Sequence, residues 1–177
     1  MKRFRLLLLD ANVVIELFRC GAWDQAIDQC DIHLGRTVAQ VEAHFYLTDD
    51  GQRHDFDLRT YEAAKRITVF DVAACELTAF RQQFDPVYFE KLDPGETESL
   101  AYLLNLPRHE GMLCSADKIV FRVLGSLRRG EQGISLEEVL RRVGLGRSLP
   151  RHFSQAYREY WTRKGFEEGV TGIGLRN

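Results

Sequence analysis

"LLLLDANVVIELF", residues 6–18, runs four leucines directly into an acid, Asp10, and then continues as mainly apolar sequence. A strand on a protein surface alternates apolar and polar residues, whereas this run is unbroken. The pattern therefore predicts a strand that is buried on both faces, as in a parallel α/β sheet. Ligands of such sheets bind outside the carboxyl ends of the strands. We expect Asp10 to lie at such an end.

Strand and helix patterns alternate along the chain and predict an α/β fold with a mainly parallel sheet. The first strand covers residues 4–9, and Asn12 is the predicted N-cap of the following helix, which ends at Gly21. "LDPGETESLAYLL", residues 92–104, predicts a helix with acids in its first turn. "GMLCSAD", residues 111–117, predicts a second short strand that ends on an acid, Asp117.

Strand and helix interpretations compete over "DIHLGRTVAQVEAHFYL", residues 31–47. The spacing of Val38, Val41 and Phe45 is helical and places Glu42 beside the apolar stripe. "HFYLTDDGQRHDFDL", residues 44–58, also fits a hairpin around the Asp50-Gly51 turn. These interpretations remain open at this point.

Length and composition indicate one globular domain with an appendage. The 177 residues are 45% hydrophobic and 28% charged, which is enough for one good core. The net charge of -2 gives no overall signature of nucleic-acid binding. Charge is uneven, however, because residues 1–140 hold 16 Lys/Arg against 23 Asp/Glu, and residues 141–177 hold 8 against 3. Any site for an anionic partner is thus expected in the last segment.

The cysteines indicate a cytoplasmic protein. All four lie in apolar or helical segments without a CxxC pair, which favours reduced, buried thiols. The start "MKRFRLLLLD" imitates a signal peptide, but its apolar run is short and ends on an acid. No segment approaches the roughly 18 apolar residues of a membrane span, so we expect no membrane partner.

Acids follow both predicted strands and lie on two predicted helices, as Asp10, Asp117, Glu42 and the pair Glu96 and Glu98. Each acid alone is also explained as a helix cap, a turn residue or part of a solvated face. Carboxylates brought together repel and raise one another's pKa unless a cation keeps them ionised. The five histidines are scattered without zinc-ligand spacing, so Mg²⁺ or Mn²⁺ is expected. Such ions activate water for phosphodiester hydrolysis.

The runs "LLLLDANVVIE", "TVAQVEAHF", "LDPGETESLAYLL" and "LCSADKIV", in this order, resemble a PIN domain, the ribonuclease fold of many bacterial and archaeal toxins. The resemblance covers roughly residues 4–125, and only the whole set is specific. It implies a three-layer α/β/α sandwich over residues 1–130, with residues 131–177 as a helical C-terminal extension. It also implies Mg²⁺- or Mn²⁺-dependent cleavage of single-stranded RNA and, for a toxin, an antitoxin protein as partner.

The resemblance assigns roles to individual residues. Asp10, Glu42 and Asp117 match three of the four metal-binding catalytic acids of the family, and the third in chain order falls in "GETE". We prefer Glu98 there, because it directly precedes the segment "SLAYLL", and Glu96 is the fallback. Asn12 and Ser115 match the supporting polar positions. Ala116 stands where relatives commonly carry another acid, which weakens the expectation of a second metal ion.

The C-terminal segment lies outside the resemblance. "GISLEEVLRRVGLG", residues 133–146, predicts a helix capped by Ser135. The following segment sets aromatic rings among cations. One interpretation is packing against the chain's own core or a second subunit, which would make a homodimer. The other is an RNA-binding arm formed by Arg151, Arg158, Arg163, Lys164, Tyr157 and Trp161.

Three classes of function follow from these residues. The leading one is a metal-dependent, PIN-type ribonuclease acting on single-stranded RNA. The alternative is a PIN-like RNA-binding or scaffold protein without catalysis, although a scaffold has no need to keep repelling carboxylates together. An aspartyl-phosphate hydrolase would also place an aspartate after the first strand, but it would want a second acid where this chain has Asn12.

Overall fold

The computed structural model describes residues 4–86 and 90–176. The elements are, in chain order, β1 (Phe4–Leu9), α1 (Ala11–Arg19), α2 (Trp23–Gln29), β2 (Cys30–Gly35), a π-helical turn (Val38–Glu42), β3 (Phe45–Leu47), β4 (Arg53–Asp55), α3 (Leu58–Ala63), β5 (Thr68–Phe70), α4 (Ala74–Arg81), α5 (Pro94–Asn105), β6 (Met112–Cys114), α6 (Lys118–Ser126), a 3₁₀ turn (Gly130–Gln132), β7 (Gly133–Ile134), α7 (Leu136–Arg142), a second 3₁₀ turn (Arg151–Phe153) and α8 (Gln155–Thr171).

The central sheet has five strands in the order β5-β2-β1-β6-β7, and every neighbouring pair is parallel. β1 is the middle strand, as its unbroken apolar run predicts. Leu7 and Leu9 pack into one core, and Leu8 packs into the other. The prediction of a strand buried on both faces is therefore confirmed.

Helices cover both faces of this sheet. The Leu7 face packs against residues of α1, α2 and α7, among them Val14, Ile27 and Leu140. The opposite face packs against residues of α4, α5 and α6, among them Phe80, Leu100 and Val123. Because each helix buries one apolar stripe against the sheet, the result is a three-layer α/β/α sandwich. The predicted fold class is confirmed.

The chain reverses direction across the sheet at β1 and β6. After β1 it passes through α1 and α2 to β2 and then reaches β5, on one side of β1. It then returns through α4 and α5 to form β6 on the other side of β1. Open α/β sheets bind ligands in the crevice at such a switch point, outside the carboxyl ends of the strands. Asp10 lies there, and its backbone N–H donates to the carbonyl of Cys114 at the end of β6, at 3.1 Å.

Each interpretation of residues 31–58 holds for only part of the segment: β2 ends at Gly35, the helical part ends at Glu42, and Phe45, which the helix interpretation included, begins β3. The chain forms the π-helical turn Val38–Glu42 and then the antiparallel hairpin of β3 and β4. The hairpin turn contains Gly51 with a φ of +83°, a conformation that glycine adopts without steric cost. Glu42 is thus the last residue of an irregular helical turn.

The predicted N-cap of α1 is wrong by two residues. α1 begins at Ala11, so the N-cap is Asp10, whose Oδ1 accepts a hydrogen bond from the Val13 N–H at 2.8 Å. Asn12 lies inside the helix with an exposed side chain. The helix begins directly after the strand, and the acid that ends the strand is therefore also its cap.

Part of the predicted C-terminal extension belongs to the main core. β7 forms an edge of the central sheet beside β6, and Leu136 and Leu140 of α7 are fully buried. Ser135 caps α7, as predicted, with its Oγ accepting from the Glu138 N–H at 3.2 Å. β7 and α7 therefore share the core of the first 130 residues, although they were predicted to belong to the extension.

α8 lies outside the sandwich and packs closely on α6. A Cβ at Gly165 would collide with the carbonyl oxygen of Arg122, and one at Gly169 would lie 2.5 Å from the carbonyl oxygen of Ser126. The two helix backbones approach this closely because both positions lack a side chain. An ion pair between Arg122 and Glu168 closes the same interface.

Two expectations from the sequence concern the cysteines and membrane-spanning helices. All four cysteines are free thiols, and three of them are at least partly buried, whereas Cys75 is exposed. No helix in the described ranges is both long enough and apolar enough to cross a membrane.

Candidate functional site

The predicted acids lie on four segments at the carboxyl edge of the sheet. Asp10 follows β1 and Asp117 follows the adjacent β6, while Glu42 ends the π-helical turn. Glu96 and Glu98 lie near the start of α5, and both are buried, at 6% and 8% exposure. Asp10 is only 3% exposed. Glu42 and Asp117 are half-buried.

Asp10 is held by three hydrogen-bond donors. Oδ1 accepts from the Val13 N–H, while Oδ2 accepts from the Ala116 N–H at 3.1 Å and from the Ser115 hydroxyl. The Ser115 Oγ in turn accepts from the Asp117 N–H at 3.0 Å. Asn12, the other predicted supporting residue, is not among the described partners of Asp10. The orientation of Asp10 is thus fixed by β6 and the first turn of α1.

Both strand-end aspartates are helix caps as well as candidate ligands. Oδ1 of Asp117 accepts from the Ile119 N–H at 2.9 Å and caps α6, as Asp10 caps α1. Two helix N-termini therefore begin at the same edge of the sheet, where their dipoles favour negative charge.

Glu42 and Glu98 each lie against a glycine. Oε1 of Glu42 accepts from the Gly95 N–H at 3.1 Å, and Oε2 of Glu98 accepts from the Thr37 N–H at 2.9 Å. A Cβ at Gly95 would collide with Glu42, and one at Gly35 would collide with Glu98. The sequence predicts Gly95 only as a helix breaker and gives no prediction for Gly35. The signal for both was a glycine beside a strand end or helix start at the functional edge.

The predicted acids interact electrostatically, and we call Asp10 and the three that interact with it, Glu42, Glu96 and Asp117, the acid cluster. Burial raises the pKa of Asp10, and the charge of Asp117 adds to this. Burial also raises the pKa of Glu42, to which Asp93, Asp10 and Glu98 contribute. Burial raises the pKa of Glu96 to about 8, assisted by Asp117 and Asp10 against a lowering hydrogen bond from the Asp93 N–H. The carboxylates are therefore close enough to disfavour one another's charge.

The structure distinguishes the surroundings of Glu96 and Glu98. Glu96 feels the charge of both strand-end aspartates, Asp10 and Asp117. Glu98 contributes to the raised pKa of Glu42, and its carboxylate is held by the Thr37 N–H. Glu96, the fallback from the sequence, thus belongs to the acid cluster, and Glu98 lies beside it. Which glutamate binds a metal ion stays a prediction.

The donor chemistry of the acid cluster fits Mg²⁺ or Mn²⁺. Oε2 of Glu42, Oε1 of Glu96 and Oδ2 of Asp117 accept no hydrogen bond from the described residues. Carboxylate oxygens are the ligands that these hard cations prefer. A cation would also relieve the repulsion between the acids. Within residues 4–86 and 90–176, however, no three His, Cys, Asp or Glu side chains are arranged around one ion position.

The predicted RNA-binding cations of α8 divide into two kinds. Arg158 forms a two-pronged ion pair with Glu138 at 2.7 and 3.0 Å, and Lys164 pairs with Glu167 at 2.8 Å. Burial would raise the pKa of Glu138, but hydrogen bonds from Arg158 and Ser135 outweigh burial and lower it. Arg151 and Arg163 are exposed and form no ion pair with any residue in the described ranges. Only these two are available to an anionic ligand without breaking an existing pair.

The aromatic end of α8 adjoins the acid cluster. Burial raises the pKa of Tyr157, and the charge of Asp117 raises it further, so these two side chains lie near each other. The ammonium of Lys118, the residue after Asp117, lies 6.0 Å from the centre of the Trp161 ring. Lys118 is not among the predicted site residues, although its position directly after the fourth acid indicates a cation beside the site.

No family model matches this chain, and neither the curated proteins nor the solved structures contain a match. The function is therefore inferred from the acid cluster and its position in the sheet.

Proposed function

We propose that the protein is a ribonuclease that hydrolyses phosphodiester bonds of single-stranded RNA with Mg²⁺ or Mn²⁺. The observation that carries the proposal is the acid cluster, which lies at the switch point of a parallel sheet and in which burial and neighbouring acids raise the pKa of Asp10, Glu42 and Glu96. Clusters of perturbed titratable groups at such a position are typical of catalytic sites. The resemblance of the sequence to PIN domains supports the same activity.

Asp10, Glu42, Glu96 and Asp117 would hold the ion, with Glu98 beside them. When bound, the ion would supply a water of lowered pKa and neutralise charge on the scissile phosphate. Val13, Ser115 and Ala116 orient Asp10 before any ligand arrives, so this carboxylate needs little reorganisation. Glu96, with a pKa of about 8 without metal, is able to hold a proton near neutral pH.

The RNA strand would be attracted by cations at the border of the acid cluster. Lys118 and Arg151 are exposed and form no ion pair within the described ranges. Cations placed beside a group of acids let the phosphate backbone approach a surface that would otherwise repel it.

The proposal includes a cytoplasmic location and the partners of a toxin. Four free thiols support a reducing compartment. An antitoxin would act by covering the acid cluster, and a small DNA-binding protein encoded by the neighbouring gene would support that role. A homodimer would bury three exposed apolar residues at and just after the end of α8, which are Phe166, Val170 and Ile173.

A second function, RNA binding without catalysis, is favoured by a specific observation. Asp10 and Asp117 both cap helices, and no three-ligand set is prearranged among the described side chains. The acids would then have a structural role only. Glu96 also belongs to the capping box of α5, in which its Oε2 accepts from the Asp93 N–H. Catalysis remains the stronger proposal because capping leaves one oxygen of Glu42, of Glu96 and of Asp117 without a hydrogen bond from the described residues.

Cleavage of a labelled single-stranded RNA in Mn²⁺, Mg²⁺ or EDTA tests the proposal. We expect cleavage by the wild type with metal, none in EDTA, and a loss of orders of magnitude in Asp10→Asn and Asp117→Asn. Asp57→Asn is the matched control, since Asp57 caps α3 and is not a member of the cluster. Asparagine caps nearly as well as aspartate, so the fold should persist in all three variants. Cleavage in EDTA, or full activity of both cluster variants, would overturn the proposal.

A further inference from the structure

A cavity of about 540 Å³ lies between the second 3₁₀ turn and the first turns of α8. Arg151, His152, Tyr157, Tyr160 and Trp161 contribute to its walls. Its volume falls within the roughly 300–1,000 Å³ that is usual for small-ligand sites. Tyr160 is 45% exposed, so a ligand could reach the rings from solvent.

Trp161 meets the rings of Tyr157 and Tyr160 edge to face in this cavity. The ring centres of Tyr160 and Trp161 lie 5.0 Å apart at 85°, and those of Tyr157 and Trp161 lie 6.1 Å apart at 66°. In the core, by contrast, Phe18 and Phe56 stack in parallel at 3.9 Å. No ring in the described part of the chain stacks in parallel on Tyr157, Tyr160 or Trp161. Tyr160 is exposed, and Tyr157 and Trp161 are partly exposed, so a flat ligand can reach these rings from solvent.

The surroundings of the cavity favour an aromatic ligand that carries negative charge. Arg151 is exposed and makes no ion pair in the described ranges, and the Lys118 ammonium lies 6.0 Å from the Trp161 ring centre. The neighbouring acid is Asp117, which belongs to the acid cluster. A flat ring with phosphates on either side is the chemistry of a nucleotide within a strand.

We propose that this cavity binds one unstacked base of a single-stranded RNA, with Arg151 and Lys118 contacting the phosphates that flank it. The inference rests on the proposed function only in taking the bound strand to be the strand that is cleaved. A base inside a duplex is already stacked on both faces, so the cavity selects single strands. Because the cavity adjoins Asp117, the bond that is cut lies a fixed number of nucleotides from the bound base.

Binding is tested in EDTA, so that the result does not depend on catalysis. The probe is a short oligouridylate that carries a single 2-aminopurine, whose fluorescence is quenched when its ring stacks. We expect saturable quenching by the wild type and an affinity loss of about fivefold to a hundredfold in Trp161→Ala, the range for losing one stacked base. Trp161→Phe keeps a ring and should retain most of the affinity. Phe166→Ala, which removes an exposed ring of α8 outside the cavity, is the matched control.

The outcomes separate this inference from the proposed function. Equal affinity of Trp161→Ala and wild type, an equal loss in Phe166→Ala, or equal binding of a duplex would overturn the base site. Thermal unfolding of each variant shows whether the fold is intact. If Trp161→Ala does not fold, the affinity of Trp161→Phe relative to wild type still tests the base site. Quenching without any Mn²⁺-dependent cleavage would leave the base site standing and overturn the nuclease.

A cleavage experiment tests the fixed distance. In a series of RNAs with one abasic nucleotide each, we expect slower cleavage only when the abasic nucleotide stands at one position relative to the cut. Trp161→Ala should remove this dependence on position. A dependence that persists in Trp161→Ala would place the base elsewhere.

Discussion

Ser115 donates a hydrogen bond to Oδ2 of Asp10, and the Ser115 Oγ accepts one from the Asp117 N–H. One fully buried hydroxyl thus joins the two acids that end the neighbouring strands β1 and β6. The link lies at the switch point of the sheet, where a ligand would bind. It holds the Asp10 carboxylate against the backbone of Asp117, whose own carboxylate accepts from the Ile119 N–H.

Ser115→Ala should destabilise the protein by about 1–3 kcal/mol, because it removes one of the three hydrogen bonds to the buried Asp10 carboxylate and leaves the Asp117 N–H without its acceptor. The pKa of Asp10 should rise further, since the Ser115 hydroxyl now lowers it. Urea unfolding measures the change. Ser148→Ala, at an exposed serine, should change the free energy of unfolding by less than about 0.5 kcal/mol. Equal effects of the two substitutions would contradict the structural role of Ser115.

The metal-free protein should lose stability as the pH rises. Glu96 has a folded-state pKa of about 8, above the ordinary value of 4.5, so the folded state binds its proton more tightly than the unfolded state does. The resulting stabilisation is fully present below 4.5 and is lost as the pH rises through 8. The raised pKa values of Asp10 and Glu42 act in the same direction.

Thermal unfolding in EDTA between about pH 6 and pH 9 measures this effect. Glu96→Gln should flatten the decline, because glutamine does not titrate. Glu131→Gln, which removes an exposed acid, should leave the decline unchanged. A wild-type protein that becomes more stable over this range would show that Glu96 is not held as we describe.

Sequence alone predicted the layers of the fold well because burial on both faces leaves a strong local signal. The run at Leu6–Leu9 identified the central strand, and Ser135 identified the start of α7. Sequence alone failed to predict features that depend on residues far apart in the chain. Arg158 looks like a free cation in the sequence, but it is neutralised by Glu138, twenty positions away in the chain. The cap of α1 was misplaced because a strand-end acid and a helix cap turned out to be the same residue, Asp10.

Arg158→Gln should lower stability by about 1.5–3 kcal/mol, the range for losing a hydrogen-bonded charged partner. The side chains of Arg158 and Glu138 are only 15% and 11% exposed, so the remaining carboxylate would be poorly solvated. Glu138→Gln should cost a similar amount, and the double variant should cost less than the two single changes added together. Additive effects in this cycle, measured by urea unfolding, would show that the pair contributes no coupling.

Arg151→Gln and Arg163→Gln should instead weaken RNA binding without a loss of stability. Both guanidinium groups are exposed and have no ion pair in the described part of the chain. Each phosphate contact that is lost should reduce the slope of log affinity against log salt concentration by about 0.7. Lys164→Gln is the comparison, since Lys164 is already paired with Glu167. Unchanged affinity and slope in both arginine variants would exclude this surface as an RNA contact.

Glu96 and Glu98 stand two residues apart on α5, and their substitution by glutamine tests which of them belongs to the metal site. Each glutamine can still accept the backbone hydrogen bond of its glutamate, from Asp93 or Thr37, so the two variants differ from wild type mainly in charge. Because Glu96 interacts with both Asp10 and Asp117, Glu96→Gln should remove a ligand.

Titration calorimetry with Mn²⁺ measures the difference. Glu96→Gln should weaken affinity by about a hundredfold or more, because even the loss of a residue that only orients a ligand costs roughly 10–100-fold. Glu98→Gln should weaken it by less, since Glu98 lies beside Glu42 and is held by Thr37. If Glu98→Gln weakened Mn²⁺ affinity more than Glu96→Gln, Glu98 would be the metal ligand, as the sequence favoured. Equal and negligible effects, with Mn²⁺ still bound, would place the ion away from α5. A wild type that binds no Mn²⁺ would leave the acids as helix caps and favour an RNA-binding protein without catalysis.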